Sequence, residues 1–128
     1  MKGISPMQRT LKELRKRGYI CGITEKFNSF IKIRQDLFGF IDLIAIKSGE
    51  IIGVQCTSGA HHADHKTKII SLPYASAWLN AGGKIQLWTW SKHKIKRGGK
   101  AEQWVARMEE ITLIECSNVV SKPQIQKT

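Results

Sequence analysis

Arg34-Gln35-Asp36-Leu37-Phe38-Gly39-Phe40-Ile41-Asp42-Leu43-Ile44-Ala45-Ile46 is followed by Lys47-Ser48-Gly49-Glu50 and then by Ile51-Ile52-Gly53-Val54-Gln55-Cys56-Thr57. Two apolar, β-branched-rich runs flank a short turn. Gly49 supplies turn dihedrals that other residues resist, and Ile and Val suit a pleated surface, so the stretch predicts a β-hairpin. Asp42 is the anomaly in it. A lone carboxylate in an apolar strand is costly, so a cation is expected to meet it. On the returning strand Gln55 and Thr57 are two residues apart and project from one face.

Upstream, Ser5-Pro6-Met7-Gln8 reads as a helix start, with Ser5 as cap, Pro6 in the first turn and Gln8 completing an S-x-x-Q box. Met7, Leu11 and Leu14 recur at helical spacing, and Gly18 suits the stop. Arg9, Lys12, Arg15, Lys16 and Arg17 form either a solvated or a phosphate-contacting face. Tyr19 to Phe27 predicts a first strand with Tyr19, Cys21, Ile23 and Glu25 on one face, which puts the Glu25 carboxylate near the Asp42 strand. Residues 28–35 read as a loop carrying Lys32 and Arg34. Asp36 either approaches the site or pairs with Arg34. Gly39 between Phe38 and Phe40 permits a bend.

Downstream, a helix is expected from about His62. His61 and His65 have the spacing of a two-His metal pair, yet no third ligand with clear spacing follows. Phosphate contact or a solvated helix face are the other readings. Pro73 implies a kink or two short helices, with Tyr74, Ala77, Trp78 and Ala81 packing on the sheet. Lys84 to Ser91 alternates as a strand. Lys92, Lys94, Lys96, Arg97 and Lys100 follow in a glycine-containing basic loop, 92–100, expected to be pliable. Residues 103–114 suggest a last strand paired with this one. The polar tail, 117–128, is expected to fray. No repeat or linker divides the chain, so 1–128 reads as one domain.

A chain of 128 residues with 41% hydrophobic content suits one modest core. No apolar run reaches membrane-span length, and the Lys-bearing N-terminus lacks the apolar region of a secretory signal. Three widely spaced cysteines argue for reduced thiols in a cytoplasmic compartment. The net charge of +11 calls for an anionic partner, with nucleic acid the first candidate.

The order of these elements, with Asp42 on the second core strand and Gln55-Cys56-Thr57 on the third, resembles the PD-(D/E)XK nuclease superfamily, in particular Holliday junction resolvase-like and phage nucleases. The resemblance covers roughly Ser5 to Ser91, and family members carry Glu-X-Lys where this chain has Gln55-Cys56-Thr57. It implies an α/β fold with a restriction-endonuclease-like α-β-β-β-α-β core and a mixed central sheet, to which a C-terminal β-hairpin is added. The implied activity is metal-dependent endonucleolytic hydrolysis of phosphodiester bonds in branched or recombination and repair DNA. The implied ligands of Mg²⁺ or Mn²⁺ are Asp42, Glu25, the Gln55 side-chain carbonyl and the Cys56 backbone carbonyl. Lys66 or Lys68 would stand in for the motif lysine. Arg15, Arg34 and the basic loop would hold the DNA backbone, and symmetric junction cleavage would need a homodimer. In a second reading the chain is a nuclease-like scaffold that binds DNA without cutting it, with Asp42 paired to a buried cation. A third class, a metal-dependent sensor or inhibitor, would use the histidines.

Overall fold

The computed structural model describes residues 4–120, with side chains through Cys116. The first helix, α1 (Pro6–Lys16), starts where Ser5 Oγ accepts the Gln8 amide at 3.1 Å. Its apolar stripe of Leu11 and Leu14 is buried against one face of a sheet. The sheet has five strands in the order β1 (Ile20–Ile23), β4 (Leu43–Lys47), β5 (Glu50–Ser58), β6 (Lys84–Lys94) and β7 (Glu102–Ile111). Every neighbouring pair is antiparallel except β5 and β6, which run parallel. That single parallel pair requires a crossover, and α2 (His62–Ser71) and α3 (Pro73–Asn80) supply it. The fold is therefore α/β with a mixed sheet, and β6 and β7 form the expected C-terminal hairpin.

The central strands β4, β5 and β6 are buried on both faces. Leu43, Ala45, Ile52, Val54, Trp88 and Trp90 meet α1. Phe40, Ile41, Ile85, Leu87 and Ile111 form the opposite core with Ile69, Ala75 and Cys116. The β4–β5 turn is the expected one: Lys47 pairs with Glu50 across Ser48-Gly49, and Gly49 sits at φ +82°, where a β-carbon would be strained.

Several expectations change. The first strand stops at Ile23, and the backbone amides of Thr24 and Glu25 turn to donate to the Asp42 carbonyl at 2.9 and 3.1 Å. What read as a loop at 28–35 contains half of a small separate hairpin, β2 (Lys26–Asn28) against β3 (Ile33–Gln35). The Asp42 run is not a straight strand from residue 37. Phe38 and Gly39 both adopt positive φ, closing a tight turn with Leu37 bridged to Ile41. The break at Pro73 gives two helices, but α3 buries Ala75 rather than Tyr74, which is 52% exposed. The basic segment is strand in part. Lys92 and Lys94 belong to β6, and the turn beyond is closed by Ile95 N–H to the Ala101 carbonyl at 3.0 Å.

Residues 117–120, the start of the expected tail, belong to a final helix, α4 (Leu113–Val120); the rest of that tail, 121–128, lies outside the described residues. Among the described residues no helix is long and apolar enough to cross a membrane.

Candidate metal centre

At the end of the sheet where β4 begins and β5 nears its close, three carboxylates converge. Glu25, Asp36 and Asp42 each offer an oxygen within 4.8 Å of the others. The chain brings them together by three separate devices. The Asp42 amide donates to the Val54 carbonyl at 2.8 Å, which anchors it beside β5. The Asp42 carbonyl holds the Glu25 backbone, so the end of β1 delivers Glu25. The Phe38-Gly39 turn folds Asp36 back toward Asp42.

Asp42 is 4% exposed. Its Oδ2 accepts from the Cys56 amide at 2.8 Å, while Oδ1 is buried with no hydrogen-bond partner. Among the described residues no Lys or Arg pairs with it, so the expected cation is not there. Asp36 is another carboxylate, and the two can share a hydrogen bond only if one is protonated. Burial first, and then Asp36 and Glu25, push Asp42 up to about 8. A cleft of about 340 Å³ opens onto this group, lined by Ser5, Pro6, Met7 and Gln8 of the α1 start and by Glu25, Arg34, Asp42 and Cys56.

The expected ligands Asp42 and Glu25 are thus adjacent. Arg34 stands at the cleft on β3, its guanidinium 3.3 Å from Glu25. Gln55 is buried beside them and donates from Nε2 to Asp36 Oδ2 at 2.9 Å. Cys56 meets the cluster through its backbone amide, which donates to Asp42 Oδ2. Burial pushes the Cys56 thiol up to about 12, so it is neutral in the metal-free chain.

Gln55 and Thr57 share a face as their parity requires, and His65 of α2 bridges them. Its Nδ1 lies 3.4 Å from Gln55 Oε1 and its Nε2 lies 3.2 Å from Thr57 Oγ1. Burial, then the charges of Lys68 and His61, hold His65 below the usual histidine range. The imidazole is neutral at neutral pH and bonds both strand residues. His61 and His65 join no third ligand among the described residues, so they form no zinc set.

The two candidate lysines part company. Lys66 does not serve the cluster: its ammonium lies 2.6 Å from both Glu109 and Glu115. The cause is helical phase, since one step past His65 rotates the side chain by about 100° toward β7 and α4. Lys68, three residues past His65, returns to the His65 side and is exposed. Beyond Lys66, His62 is buried between Thr89 Oγ1 at 2.6 Å and Glu109 Oε1 at 2.8 Å. This network pins α2 and α4 to the sheet. Arg15, Lys92, Lys94, Lys96, Arg97 and Lys100 are all exposed.

Asp36 is the site residue that the sequence leaves undecided. Its approach depends on the turn after it, and Phe38-Gly39-Phe40 is the only signal of that turn. No family model, curated protein or solved structure matches this chain.

Proposed function

We propose that the chain is a divalent-metal-dependent DNA endonuclease with a restriction-endonuclease-like core, and that Glu25, Asp36 and Asp42 hold Mg²⁺ or Mn²⁺. The observation that carries this reading is Asp42 Oδ1, a buried oxygen without a donor, set among two further carboxylates at the floor of a cleft. Oxygen ligands of this hardness suit Mg²⁺ or Mn²⁺, and the residues present fit such an ion. When bound, the ion stabilises the charge that develops on the phosphoryl oxygens.

The chain's own residues do the rest. The Cys56 amide fixes the Asp42 carboxylate through Oδ2 and leaves Oδ1 without a partner. Arg34 restrains Glu25 and offers a guanidinium to a phosphate entering the cleft. Neutral His65 orients Gln55 through its Oε1, and Gln55 Nε2 in turn holds Asp36, a carboxylate that would hold the ion. Lys68 supplies the cation that Thr57 cannot. The +11 charge favours a polyanionic substrate.

A second reading, DNA binding without cleavage, is favoured by one observation: Thr57 occupies the place of the motif lysine, and Lys66 is committed to Glu109 and Glu115. Incubation of the chain with branched, single-stranded and duplex DNA in Mn²⁺, against the same mixtures in EDTA, tests the proposal. Cleavage that disappears in EDTA and in Asp42→Ala supports the nuclease. Binding without cleavage in any metal supports the second reading.

A further inference from the structure

The hairpin of β2 and β3 stands outside the main sheet, and its apolar residues face solvent. Phe30 at its tip is 96% exposed, and Phe27, Ile31 and Ile33 are each about half exposed or more. Exposed apolar surface of this density marks a contact site. The tip is also held in place. Asn28 Oδ1 accepts the amides of Phe30 and Ile31 at 3.0 and 3.3 Å, and Lys32 N–H returns to the Asn28 carbonyl at 2.7 Å. Lys32 takes a positive φ of 57° to complete the turn. A rigid turn thus presents an aromatic ring outward.

Charge and position indicate the occupant. Lys26, Lys32 and Arg34 lie within residues 26–35, which contain no acidic residue. Arg34, on β3, reaches Glu25 of the acidic cluster, so the base of the hairpin is a wall of the candidate metal cleft. An apolar tip flanked by cations, on a hairpin whose base walls the proposed phosphodiester-cleaving site, has the chemistry of a wedge: the ring stacks on bases while the cations meet phosphates. Two copies meeting through this hairpin would bring like charges together.

We infer that Phe30 is an unstacking wedge that enters DNA at an unpaired or branched position next to the scissile phosphate, and that this tip selects interrupted over continuous duplex. The inference rests on the nuclease reading for the identity of the polymer and for the scissile phosphate.

The test uses the full chain in EDTA with a four-way DNA junction carrying 2-aminopurine at the branch point, whose emission rises when the base unstacks. The wild type raises the emission. Phe30→Ala abolishes the rise, weakens junction binding by about tenfold and leaves duplex binding unchanged. Phe30→Trp restores the rise and the affinity. A rise in Phe30→Ala equal to wild type overturns the inference. So does a wild-type dimer in sedimentation that Phe30→Ala dissociates, because a second copy then covers the patch. Wild-type binding without any rise overturns the wedge and leaves the nuclease reading standing; failure to bind any DNA overturns both.

Discussion

The Cys56 amide donates to Asp42 Oδ2 at 2.8 Å, and among the described residues it is the one hydrogen bond that the Asp42 carboxylate receives. One oxygen is thereby fixed and the other left bare beside two more carboxylates. Once Asp42 is ionised, an arrangement of this kind stores repulsion that a divalent cation would remove.

The first prediction follows from that repulsion. Asp42 ionises at about 8 in the folded chain and near 3.8 without it. Between those values the folded state holds the extra proton, so stability of the metal-free protein falls as pH rises through that window. Each pH unit within it costs up to about 1.4 kcal/mol. Thermal melts of wild type at pH 5.5 and pH 8.5 should therefore show a lower Tm at the higher pH, restored by Mn²⁺. Asp42→Asn should melt higher than wild type at pH 8.5 and gain nothing from Mn²⁺. The difference between the two proteins isolates Asp42 from the opposing titration of His65, whose folded form resists protonation as pH falls.

Gln55→Glu should separate apo stability from metal affinity. The new carboxylate gives up the 2.9 Å bond to Asp36 and adds like charge to the cluster. Chemical denaturation without metal should show a loss of about 1–3 kcal/mol. Calorimetric titration with Mn²⁺ should show affinity rising by roughly tenfold, as one more charged oxygen faces the ion. Adding Thr57→Lys should offset part of the repulsion and keep or raise cleavage. An unchanged metal affinity would make Gln55 an ordinary strand residue.

How much the sequence reveals depends on the range of the cause. The β4–β5 hairpin, the shared face of Gln55 and Thr57, and the Pro73 break are local, and each is legible. Asp36 is not. Six residues of straight strand would place it about 20 Å from Asp42, and only the paired positive φ values at Phe38 and Gly39 bring it back. Lys66 and Lys68 are equivalent as letters, and helical phase against β7 decides between them. Helix α4 escapes the periodicity although it carries a local signal. Thr112 and Glu115 form a reciprocal capping box, with Thr112 N–H to Glu115 Oε1 at 2.9 Å and Glu115 N–H to Thr112 Oγ1 at 3.3 Å.

The lysines give a clean contrast in the cleavage assay. Lys66→Gln should lower stability by about 1 kcal/mol, the scale of a partly exposed ion pair, and leave cleavage per folded molecule unchanged. Lys68→Gln should leave the Tm unchanged and slow cleavage by roughly tenfold or more. Reversed effects would return the catalytic cation to Lys66.

The basic segment 92–100 should hold the DNA backbone without reading bases. Replacing Lys94, Lys96 and Arg97 with Gln should weaken binding to all sequences alike. For each phosphate that the variant no longer neutralises, the log–log salt slope should flatten by about one unit. Anisotropy titrations across salt concentrations measure both. An unchanged slope would move the DNA to the basic face of α1.

The most direct measurement is anomalous diffraction from crystals of the full chain soaked in Mn²⁺ at pH 8. The expected result is an anomalous peak bonded to Asp42 Oδ1 and to oxygens of Glu25 and Asp36, and no such peak in Asp42→Asn. Diffraction that shows the three carboxylates with no metal among them, or a Lys or Arg folded onto Asp42, would contradict it.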